Sequence, residues 1–80
     1  SRGLGDVYKR QEILVADMKY LKISTDTIIA VLDMLKTEEQ QQTMINSIKR
    51  RYNEKGTVTE EEILKMLIMI RHPKKNTQEM

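Results

Sequence analysis

One segment constrains the fold more than any other: the stretch from Val58 to Pro73. Thr59-Glu60-Glu61-Glu62 fits a capping box, in which the threonine hydroxyl accepts from the backbone N–H three residues on and the last side chain reaches back. Val58 can pack on Ile63 as a hydrophobic staple, and three glutamates in the first turn suit the positive end of the helix dipole. Pro73 disfavours the α conformation in the residue before it, so this helix runs over about 60–71. At about 100° per residue, Ile63, Met66, Leu67 and Ile70 share one face, Leu64 and Ile68 an adjacent one, and Met69 a third side. Lys65 is nearly the only polar residue in the middle. A helix apolar on almost every side must be covered on almost every side, and within one short chain only a central place between other helices does that. The competing reading leaves Leu64, Ile68 and Met69 partly uncovered, to seat a protein partner or a second copy of the chain.

Two more helices are legible. Ser24, Thr25 and Asp26 are all acceptable N-caps for a helix over about 26–36, whose inner face is Ile28, Val31, Leu32 and Leu35, with Ile29 and Met34 off that face. Thr37-Glu38-Glu39-Gln40 is a second capping box and opens a helix over about 38–55. Its apolar stripe is narrow (Met44, Ile45, Ile48 and Tyr52), so half of it faces water, and Gly56 is a natural stop. Leu14, Met18 and Leu21 are spaced for an optional N-terminal fourth helix over about 10–22, although Met18–Ile23 also reads as extended. The fold class is all-α: a small three-helix bundle with that fourth helix added, in one domain over 12–72, and a polar, flexible tail at 73–80.

Size decides what else such a bundle needs. Eighty residues bury only about 60–65% of the surface exposed in the unfolded chain, which makes for a thin core. Absence of cysteine excludes disulfides and thiolate zinc sites, and the single histidine, His72, excludes histidine-rich metal sites. Oligomerisation is the remaining way to add buried surface. Phe and Trp are absent and there are six methionines, which fill irregular core gaps and also adapt to partners. No apolar run approaches the ~20 residues that span a bilayer, and no signal-peptide pattern is present, so a cytoplasmic location is expected by default.

Residues 3–11, Gly-Leu-Gly-Asp-Val-Tyr-Lys-Arg-Gln, resemble translated sequencing-adapter read-through of the kind found in metagenomic gene models. The resemblance implies that 1–11 is a non-native tail outside the fold, with Met18 a plausible start. It also bears on charge. The chain is net +2, but residues 1–11 hold Arg2, Lys9 and Arg10 against Asp6, which leaves 11 basic and 11 acidic residues in the remainder.

No constellation for catalysis is visible. His72, beside a proline at a helix end, reads as a solvated residue complementing the dipole. Glu60, Glu61 and Glu62 fan out around their helix and do not converge as a carboxylate pair. There is no glycine-rich phosphate loop and no calcium loop, so no cofactor, metal or small-molecule substrate is implied. The basic cluster Lys49, Arg50, Arg51 and Lys55 is the best nucleic-acid candidate, though consecutive helical residues point apart rather than forming a stripe. A strand at Met18–Ile23 followed by two helices would resemble the order of ribbon-helix-helix DNA-binding dimers, with Lys19, Tyr20 and Lys22 on the strand. A helix-turn-helix reading fails, because the helix after Gly56 opens with three glutamates that phosphate repels. The expectation is therefore a non-enzymatic protein-interaction or homo-oligomerisation module acting through Leu64, Ile68 and Met69. The alternative is a weak DNA-binding regulator using Lys49, Arg50, Arg51 and Lys55.

Overall fold

A computed structural model describes residues 2–72. It is all-α, with four helices in the order α1 (Arg2–Tyr20), α2 (Thr25–Met34), α3 (Glu38–Lys55) and α4 (Glu60–Arg71). The optional fourth helix is thus present. It begins well before the expected residue 10, running through the segment that the adapter likeness sets outside the fold. No proline interrupts residues 2–20, and a helix already nucleated gains one hydrogen bond per residue added, which carries it through Gly3 and Gly5 although each costs about 1 kcal/mol relative to alanine. The extended reading of Met18–Ile23 is corrected. Met18 to Tyr20 close α1, so the strand on which the ribbon-helix-helix order depends is not formed. The expected tail at 73–80 lies outside the described residues.

The helix ends follow from local chemistry. α1 stops in a Schellman arrangement: Ile23 N–H donates to the Met18 carbonyl and Lys22 N–H to the Lys19 carbonyl, each at 3.0 Å. Lys22 occupies the left-handed position at φ 63°, where glycine is usual, and Met18 and Ile23 are both buried in the core. Of the three candidate caps for α2, Ser24 is used, its hydroxyl accepting from Thr27 N–H at 3.4 Å. Both expected capping boxes form, Thr37 with Gln40 and Thr59 with Glu62. Gly56 ends α3 at φ 81°, and a β-carbon there would meet nothing within 4 Å, so backbone conformation rather than space requires the glycine.

The four helices close a ring: α1 packs on α3 and α2, and α4 packs on the same two. One core fills it, built from Leu14 and Met18 of α1, Ile28 and Val31 of α2, Met44, Ile45 and Ile48 of α3, Ile63 and Leu67 of α4, with Ile23, Leu35 and Val58 from the connections. The inner faces of α2, α3 and α4 are those the periodicity indicates, except that Tyr52, expected on the stripe of α3, is exposed; Val58 and Ile63, the staple pair, are both fully buried. The central position for α4 is corrected. Because α1 covers one side of α3, α4 is left at the rim with two neighbours, and its outer side is open.

Candidate functional site

Fixed contacts set the rotation of α4. At its start the backbone N–H of Ser24 donates to Glu60 Oε2 at 2.9 Å, tying the beginning of α4 to the cap of α2. Glu62 accepts from Thr59 N–H at 2.9 Å through one oxygen and from Lys55 Nζ at 2.7 Å through the other, with Arg51 Nε 3.7 Å away. The Lys55 hydrogen bond, then the Thr59 N–H and the charge of Arg51, hold the Glu62 carboxyl down at about 2. Glu60 is lowered in the same direction by its bonds from Ser24. With both carboxylates anchored and Ile63 and Leu67 turned inward, the opposite side of the helix must face out.

That outer side carries Leu64, Ile68 and Met69, which retain 42%, 60% and 58% of their possible exposure. Glu61, Lys65 and Arg71 are exposed as well. Met69 also borders a groove between α3 and α4 of about 510 Å³, lined by Met66, Ile70, Thr43 and Ser47, with Glu39 and Arg71 at one end. A second hollow of about 230 Å³ shares Ser47, Met66 and Met69 and leads on to Arg50 and Glu54. Arg71 lies by the first turn of α3, as antiparallel packing of consecutive helices requires. Of the three residues singled out from the sequence, Leu64 and Ile68 are adjacent around the helix, about 40° apart, whereas Met69 lies about 100° from Ile68, on the side of the groove with α3.

The basic cluster is only partly brought together: Arg50 and Arg51 line one hollow beside α4, and Lys49 lies apart from them. Lys55 and Arg51 are drawn to Glu62 on the α4 side. Lys49 borders a different groove with Tyr20 and Tyr52, and Arg50 lies by Met66 and Met69. His72 caps the end of α4, donating its backbone N–H to the Ile68 carbonyl. Glu61 faces water while its two neighbours bind Ser24 and Lys55.

Sequence reasoning missed the groove of about 280 Å³ between α1 and α3. Tyr20 and Tyr52 meet there edge to face, ring centres 6.2 Å apart, with their hydroxyls 3.5 Å apart. The contact raises the Tyr52 pKa, first through the hydrogen bond with Tyr20. Asp17 also lines this groove and has one oxygen sealed from solvent without a hydrogen-bond partner. No local pattern could reveal a pairing between residues so far apart in the chain. Among the described residues no three histidine, aspartate or glutamate side chains gather as metal ligands, and no helix is long and apolar enough to cross a membrane.

Comparison with known protein families, with curated proteins and with solved structures finds no match for this chain.

Proposed function

We propose that this chain is a non-enzymatic interaction module that binds protein through the outer face of α4. One observation carries the reading: Leu64 and Ile68, about half exposed, lie side by side on a helix whose rotation is fixed by its contacts with α2 and α3, and Met69, also about half exposed, lies farther round beside the groove. Large apolar side chains grouped in this way cost free energy in water and are covered in most interaction surfaces. The groove that Met66 and Met69 line suits a partner, because Met side chains adapt their shape to what they meet. Nucleic-acid binding through Lys49, Arg50, Arg51 and Lys55 has less support, since Arg51 and Lys55 are engaged by Glu62, Arg50 shares its hollow with Glu54, and Lys49 lies on a different side of α3.

Ile68→Asp tests the reading. The substitution should dissociate the assembly, followed by light scattering, and leave the helical circular dichroism intact, because the side chain is not part of the core. Collapse of helicity would mean that Ile68 is structural and would end the proposal.

A further inference from the structure

We infer that the partner of the outer α4 face is a second copy of this chain, its α4 laid antiparallel against the first. The inference rests on the reading of that face as an interaction surface, and the pattern of residues along the helix supplies the partner and the orientation. Glu60 is engaged by Ser24 and Glu62 by Lys55 and Arg51, so the acid left facing outward in the first turn is Glu61. At the other end the outward base is Arg71, and neither Glu61 nor Arg71 forms an ion pair among the described residues. At about 100° per residue, Glu61 and Arg71 each lie about 40° from the direction midway between Leu64 and Ile68, one on either side of it, while Lys65 lies about 80° away and Met69 about 120°. The face thus reads acid, apolar, apolar, base.

The spacing of these four residues is the same in both directions. Read from either end, the steps are three, four and three residues. A second α4 running the opposite way, with the two-fold axis level with Met66, sets Leu64 against the partner's Ile68 and Glu61 against the partner's Arg71. Symmetry repeats both contacts. Glu61 and Arg71 are about 15 Å apart along the helix, so an ion pair closes each end of a small apolar centre. Lys65 falls at the edge of this contact, where its stem can lie along apolar surface and its ammonium can reach water. A parallel pair would oppose Glu61 to the partner's Glu61 and Arg71 to the partner's Arg71, two like-charge contacts. Antiparallel helices also set opposite dipole ends together.

The test is the molecular mass of the full chain by light scattering over a concentration series, for the wild type, Glu61→Arg, Arg71→Glu, the double swap Glu61→Arg/Arg71→Glu, and Ile68→Asp. The wild type should dimerise. Each single charge reversal places like charges at both ends and should weaken the dimer by about tenfold or more, and the double swap should restore it. Circular dichroism should be unchanged throughout, because the substituted side chains are exposed. A dimer that Ile68→Asp dissolves but the charge variants leave alone overturns the antiparallel register and keeps the face as an interface. A dimer indifferent to Ile68→Asp overturns both. A wild type that stays monomeric at every concentration overturns the second copy and leaves the face to a different protein.

Discussion

The side-chain Nε2 of Gln41, sealed in the core on α3, donates to the backbone oxygen of Leu35 at 3.0 Å. Leu35 closes α2, and the last carbonyls of a helix have no partner within it. Gln41 therefore supplies a hydrogen bond that α2 cannot make for itself, in a place shut off from water. Gln41→Ala removes the donor and leaves a cavity, and it should lower the unfolding free energy by about 2–3 kcal/mol. Gln41→Leu fills the space but leaves the carbonyl bare, so its loss should be smaller, about 1 kcal/mol. Urea denaturation at unchanged m-value measures both. Equal midpoints for wild type and Gln41→Ala would show that the Leu35 carbonyl has no need of the amide.

Acid should loosen the α3–α4 corner before it reaches the core. Glu62 sits at about 2 in the folded chain against an ordinary value of 4.5. A carboxyl lowered on folding stabilises the fold fully above its unfolded value and loses that contribution as pH falls toward its folded value. The contribution of Glu62 is therefore present above about 4.5 and fades between there and about 2. Glu60, lowered in the same direction, adds to the same trend. Thermal unfolding of Glu62→Gln across this window should fall less steeply than that of the wild type. Parallel curves would mean that Lys55 and Arg51 hold Glu62 no better than water does.

Lys22 is the one described residue other than glycine held at positive φ. The left-handed conformation costs an L-residue roughly 1–2 kcal/mol, a cost that glycine escapes. The Schellman bonds that place Lys22 there come from the backbone, and its side chain is exposed, so Lys22→Gly keeps them. Some of the gain is lost to the greater freedom of glycine in the unfolded chain. The net expectation is a stabilisation of about 0.5–1 kcal/mol, a rise in Tm of a few degrees in a chain of this size. A fall in Tm would show that the lysine side chain contributes more than its backbone strain costs.

What was legible in the sequence was what depends on neighbours within a turn. Thr37 with Gln40, Thr59 with Glu62, Val58 with Ile63 and the left-handed Gly56 are all such pairs or single residues, and each appears in the structure. The end of α1 was legible to within two residues, but the left-handed turn at Lys22 was not, because lysine carries no signal for it and the bonds that impose it come from the turn before. Nor was the place of α4. A helical wheel shows apolar residues on several sides, but which side stays open depends on where α1 lies, and α1 was the least certain element from its pattern. The burial of Gln41 was hidden for a related reason: it follows from where α2 ends, six residues away and outside the helix that carries it. Lys49, Arg50, Arg51 and Lys55 are close in sequence, yet the fold divides them between two sides of α3.

The contribution of α1 can be separated from the question of its origin. Leu14 is fully buried, and four residues upstream Arg10 donates from Nε to Gln42 Oε1 at 3.0 Å and approaches Glu38 at 4.0 Å. A chain begun at Met18 keeps only the last three residues of α1, less than a turn, and uncovers the side of α3 on which the helix had lain. Leu14→Ala alone should cost about 2–5 kcal/mol, a large part of the few kcal/mol to about 10 that a domain of this size has available. The shortened chain should therefore lose cooperative thermal unfolding, with Leu14→Ala intermediate between it and the wild type. Arg10→Ala should cost far less, about 0–1 kcal/mol, since its contacts are partly exposed. If the chain begun at Met18 unfolded as cooperatively as the full chain, α2, α3 and α4 would form a complete bundle by themselves and α1 would be an addition to it.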